Sequence, residues 1–111
     1  MTHEATVTVT LSGTNPVVSV SDAKLKPKGK KTLKWTMGTP GWKFSSNGIV
    51  IPTNAGQFTN FSPSSDGQTY SVDDANTDTL GYNYTINVQA TANPTLAAAL
   101  DPMIQNGDGN R

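Results

Sequence analysis

Apolar and polar residues alternate with a period of two along most of this chain. In ATVTVTLS, Val7, Val9 and Leu11 fall on one side while Thr6, Thr8 and Thr10 fall on the other. QTYSVD aligns Tyr70 with Val72. YNYTINVQA aligns Tyr82, Tyr84, Ile86, Val88 and Ala90 against Asn83, Thr85, Asn87 and Gln89. Successive side chains of a strand point to opposite faces, so the pattern predicts strands that bury one face and wet the other. NP, NG, SP, DG and LG punctuate the runs. One segment, PTLAAAL at 94–100, reads instead as a helical turn that Pro102 would stop. From residue 106 the chain reads as a loose tail. These elements predict one domain over 1–111, an all-β fold formed by a single antiparallel β-sandwich of about seven or eight strands, immunoglobulin-like or cupredoxin-like. A small barrel is the alternative.

The stretch from Leu33 to Ile51 holds both tryptophans and predicts a more definite arrangement. Asn47-Gly48 is the signal for a two-residue type I′ hairpin, which needs positive φ at both positions. That turn would pair Ser46 with Ile49, Ser45 with Val50 and Phe44 with Ile51. Pairing Met37 with Trp42 across Gly38-Thr39-Pro40-Gly41 completes a predicted meander. Leu33, Trp35, Met37, Trp42, Phe44, Ile49 and Ile51 then share one face, with Lys34, Thr36, Lys43 and Ser45 on the other. The partition predicts core burial for Trp35 and Trp42. Their competing role is a saccharide-binding platform, which requires exposed rings.

The 111 residues include no cysteine, which removes disulfides, thiolate metal sites and cysteine nucleophiles. Eight basic and eight acidic residues cancel, but they are segregated. Lys24, Lys26, Lys28, Lys30, Lys31, Lys34 and Lys43 lie in the first half, whereas most aspartates lie in the second. Lysines and aromatics from Lys24 to Lys43 are the ingredients of a weak nucleic-acid surface. The meander puts the rings opposite the nearby lysines, and a zero net charge argues against general polyanion binding. The bland reading is a lysine-protected edge strand. No basic-apolar leader and no long apolar run precede the first strand, which predicts a cytoplasmic protein without a membrane span.

Two metal patterns can be read. Asp74, Asn76 and Asp78 have the alternating oxygen spacing of a calcium loop. Thr79 stands where an EF-hand requires Gly, Thr85 stands in place of its final Glu, and neither flank is helical. Met1, Thr2 and His3 form an amino-terminal triplet able to hold Cu(II) in a square plane. His3 is the only histidine, so blue copper, with its two His and one Cys, is excluded even on a cupredoxin-like fold. No ordered base histidine, carboxylate dyad or phosphate-cradling glycine loop is present, and the expected function is non-catalytic with no cofactor.

The segment from Tyr82 to Asp108 carries a resemblance. Tyr82, Tyr84 and Ile86 give a Tyr-x-Tyr-x-apolar strand, and Asp101, Pro102, Ile104 and Asn106 give an Asp-Pro-x-Ile-x-Asn close. This resembles the ends of small bacterial β-sandwich proteins of the DP-EP family. The resemblance implies a single immunoglobulin-like or cupredoxin-like domain and no particular activity. A binding or protein-interaction module follows, with self-association through an edge strand as one way for it to act.

Overall fold

The computed structural model describes residues 2–27, 29–52 and 56–107, and among them the chain is all-β with no helix. Eleven strands follow one another: β1 (Thr2–Ser12), β2 (Asn15–Val20), β3 (Lys24–Leu25), β4 (Lys31–Met37), β5 (Trp42–Val50), β6 (Phe58–Pro63), β7 (Thr69–Asp74), β8 (Gly81–Asn83), β9 (Thr85–Ala90), β10 (Ala97–Leu100) and β11 (Met103–Gln105). They form a five-stranded sheet of order β2-β1-β4-β7-β6 and two three-stranded sheets, β10-β9-β5 and β3-β11-β8, none closed into a barrel. The surplus over the expected strand number lies in elements of two to four residues, such as β3, β8, β10 and β11, which are too short to show a period. Nor is the fold purely antiparallel. β1 runs parallel to β4, and β11 runs parallel to β3.

The five-stranded sheet and the β10-β9-β5 sheet pack face to face, as the edge-on contact of Phe44 with Tyr70 across them shows. Alternation holds within β1, β4 and β9, where Val7 and Val9, Leu33 and Trp35, and Ile86 and Val88 all point inward. The seven residues assigned to one face between Leu33 and Ile51 are all buried, as their periodicity predicts, while Val50 is only half-buried. They do not lie in one meander. β4 pairs with β1 and β7, β5 pairs with β9, and Gly38–Gly41 carries the chain from one sheet to the other. The shared face is thus two faces looking at each other.

The Asn47-Gly48 hairpin is also corrected. Both residues lie inside β5, where the register against β9 slips between Phe44 and Ile49. The positive-φ residues among those described include neither of them. Gly48 is required for space instead: a Cβ there would stand 2.8 Å from Phe44 Cβ and 3.0 Å from Tyr70 Cδ2. The chain bulges into its own core at that point, and only hydrogen fits.

PTLAAAL forms strand β10 rather than a helical turn. The segment between Pro94 and Pro102 is too short for a cooperative helix, while the β9 edge offers ladder bonds and the core takes Ala98 and Leu100. Nor is residue 106 the start of a loose tail. Asn106 is 1% exposed, and the Gly107 amide donates to Asn76 Oδ1 at 2.8 Å.

Candidate functional site

Trp35 is completely enclosed and Trp42 is 8% exposed. The Trp35 ring lies 5.3 Å from that of Tyr84, and its Nε1–H donates to the Tyr84 hydroxyl at 3.0 Å. Burial raises the Tyr84 pKa, partly opposed by this bond. Trp42 faces inward from β5 opposite Ala90. A platform for sugar stacking needs an open ring face, and neither indole has one. The two sheets that carry these residues close over them.

The Asp74–Asp78 loop is a knot of hydrogen bonds. Asp74 ends β7 pointing inward, and its Oδ1 accepts the Asn76 amide at 2.9 Å. Asn76, at φ 53°, donates its side-chain amide to the carbonyls of Pro27 at 3.0 Å and Gly29 at 2.9 Å. Its own oxygen is taken by Gly107. Asp78 Oδ1 accepts from the Leu80 amide and from Asn106 Nδ2, and Asp78 Oδ2 accepts the Tyr82 hydroxyl. Burial, then the bond to Asp78, raises the Tyr82 pKa. Gln57 adds a reciprocal pair with Thr77, at 2.7 and 2.8 Å.

This arrangement gives most of the oxygens of the calcium reading another use. A calcium ion takes six to eight oxygens. Here the Asn76 oxygen, both Asp78 oxygens and Asp74 Oδ1 already face N–H or O–H hydrogens, which stand where the cation would have to sit. Asp74 Oδ2 and Asn106 Oδ1 are the two buried side-chain oxygens without a donor among the described residues. Their side chains are in hydrogen-bond contact with each other, and burial foremost pushes the Asp74 carboxyl from 3.8 up to about 6. Among the described residues no group of three or more His, Cys, Asp or Glu side chains is placed to hold a metal ion. What the loop does is fasten three distant segments together, around residues 27–29, 57 and 106–107. Asn106 and Gln57 were not read as site residues from the sequence, since partners this remote leave no local pattern.

Of the copper triplet only two residues are described. Thr2 and His3 belong to β1, in ladder register with Thr32 and Leu33, whereas a chelate of amine, amides and imidazole needs the chain to wrap around the metal. Met1 lies outside the described residues. The lysines do not form one stripe either. Lys24 and Lys26 flank the buried Leu25 at the small sheet. Lys34 lies on the outer face of the five-stranded sheet, and Lys43 on the outer face of β5. Lys28 lies outside the described residues.

Two surfaces remain. The outer face of the five-stranded sheet is rich in hydroxyls, with Thr6 beside Thr36, Thr36 beside Thr69, Thr8 beside Ser19 and Thr32 beside Asp73. Thr is also a preferred strand residue for a wet face, so the array follows from β-propensity alone. The other surface is made of the edge strands β2, β6, β5 and β10, which pair with no further strand on their outer side among the described residues, β10 lying alongside β2. β6 is broken by a slip between Thr59 and Ser62, has Asn60 at φ 57° and ends at Pro63. β5 carries the bulge at Asn47-Gly48. On β2, the bond from Ser21 N to Thr6 O sets the alternation, which directs the Pro16 nitrogen outward, where it offers no donor. β10 is short, at four residues, but its register with β9 is unbroken from Ala97 to Leu100, and it contains neither charge nor proline.

Comparison of the chain with protein-family models and with characterised proteins finds no match.

Proposed function

We propose that this chain is a non-catalytic interaction module, built on a β-sandwich of immunoglobulin-like or cupredoxin-like type, that recruits its partner by strand addition at β10. The plain β10 edge among three blunted ones is the observation that carries this reading. Proteins ordinarily protect a sheet edge with charge, proline or a bulge, because free N–H and C=O groups recruit further strands. An edge left unprotected beside protected ones is a place where pairing is useful. The face-to-face sheets support the sandwich, as does the likeness to the DP-EP family of the Tyr-x-Tyr-x-apolar run, which the fold divides between β8 and β9, and of the Asp101–Asn106 close.

The test is selection of a displayed library of short extended peptides against the whole chain, followed by amide NMR of the complex. Shifts and new protection centred on Ala97 and Ala99 are expected. Binders that leave the Ala97 and Ala99 amides unperturbed, or cleavage of the peptides, would overturn the reading. A saccharide platform at Trp35 and Trp42 would need open rings, and both are enclosed.

A further inference from the structure

The β10 edge also indicates what pairs with it. The amide of Ala90 donates to the Leu96 carbonyl at 2.9 Å, which fixes the alternation of the ladder. Residues 96, 98 and 100 therefore direct their backbone groups to β9, and Ala97 and Ala99 direct theirs outward. The side chains divide in the complementary sense. Ala98 and Leu100 are partly buried and pack on the core, while Ala97 and Ala99 are exposed. The edge therefore presents donors, acceptors and methyl groups, with no charge along its length.

Resting on the interaction-module reading, we propose that the partner is a second copy of this chain, joined through antiparallel β10–β10 pairing about a two-fold axis at Ala99. In that register Ala99 faces its own counterpart, and Ala97 faces Asp101 of the other copy, so the two carboxylates lie at opposite ends of the paired segment and not against each other. A two-fold contact brings each side chain near its own equivalent, so a charged edge would repel itself; an alanine edge does not. Small side chains also let the two backbones approach to strand spacing without rearrangement. Pro94 and Pro102 limit the paired length, which keeps the contact local. The opposite edge of the same sheet is bulged β5, so the joined sheet of two copies ends there. The outcome is a closed dimer rather than a growing ribbon.

Sedimentation velocity of the whole chain over a concentration series tests this, alongside Ala99→Lys, Ala99→Pro and the control Thr8→Lys on the exposed outer face of β1. The wild type and Thr8→Lys should dimerise with rising concentration. Ala99→Lys should weaken the dimer by about tenfold or more, because two ammonium groups meet at the axis. Ala99→Pro should do the same by removing an outward donor that β9 does not use. If the proline variant fails to fold, the lysine variant carries the test alone. A wild type that stays monomeric throughout, or a dimer indifferent to Ala99→Lys, overturns the proposal. A monomeric wild type whose Ala97 and Ala99 amides still become protected by a selected peptide overturns only the self-pairing, and the module reading stands.

Discussion

Asp74 and Asn106 are both buried, and Asp74 Oδ2 and Asn106 Oδ1 have no donor among the described residues. The pH dependence follows from the carboxyl lying at about 6 in the fold against 3.8 when free. The folded state holds the proton more tightly, so this contribution is complete below the free value and is lost as pH rises through about 6. Asp66 and Asp73 act in the opposite sense. Hydrogen bonds, from Ser64 and Gln68 to Asp66 and from Asn60 and Thr32 to Asp73, lower both pKa values, so their contribution fades as pH falls. Asp74→Asn supplies a permanent donor and removes the buried charge. It should stabilise the protein by about 1–3 kcal/mol at neutral pH. Urea unfolding at neutral and mildly acidic pH checks this: the advantage should shrink on acidification, and one that persists unchanged contradicts the proton account. The bond from Trp35 to Tyr84 gives a second residue-scale expectation. Tyr84→Phe strands a buried indole N–H and should cost about 1–3 kcal/mol in unfolding free energy. Tryptophan emission should stay blue-shifted and resistant to soluble quenchers, since both indoles are enclosed.

At the level of strands, the alternating pattern foretold which residues face inward but not which strands are neighbours. Leu33, Trp35 and Met37 stay on one face of β4 whatever lies beside it, because the period of two is a property of the strand alone. Pairing depends on what the rest of the chain brings alongside. The Asn-Gly signal misled because it records only that a tight turn would be easy there. It carries no record of Tyr70, which approaches so closely that the glycine is needed for room. Gly48→Ala distinguishes the two accounts. The new methyl would press on Phe44, Ser45 and Tyr70, and should cost about 1–3 kcal/mol on thermal or chemical unfolding. A neutral or stabilising result would mean the bulge is roomier than described. β10 was misread for a similar reason. Alanine favours helix when it has length to cooperate, but between two prolines the available edge of β9 prevails.

For the whole molecule, the sequence disclosed an all-β chain with one core and concealed the fastening at its end. Asp101, Pro102, Ile104 and Asn106 could be read as a closing motif. Their partners could not, since Thr85, Tyr84, Leu25 and Asp78 are scattered through the chain. Ending the chain at Gln105 removes Asn106 and the Gly107 amide. That leaves Asn76 and Asp78 with buried acceptors lacking those donors, at a cost of about 2–4 kcal/mol, measurable as a lower denaturant midpoint. The parallel pairing of β11 with β3 has a further consequence in time. Lys24 meets Met103 there, and the ladder of β1 with β4 likewise waits on a strand made well after it. A growing polypeptide can form the β1–β2 hairpin early but has nothing to lay against β3 until Met103 and Ile104 have been synthesised. Native structure is therefore reached as one late event, and a ribosome stalled before residue 103 would hold a chain whose apolar strands are still unpartnered, in need of a chaperone's cover.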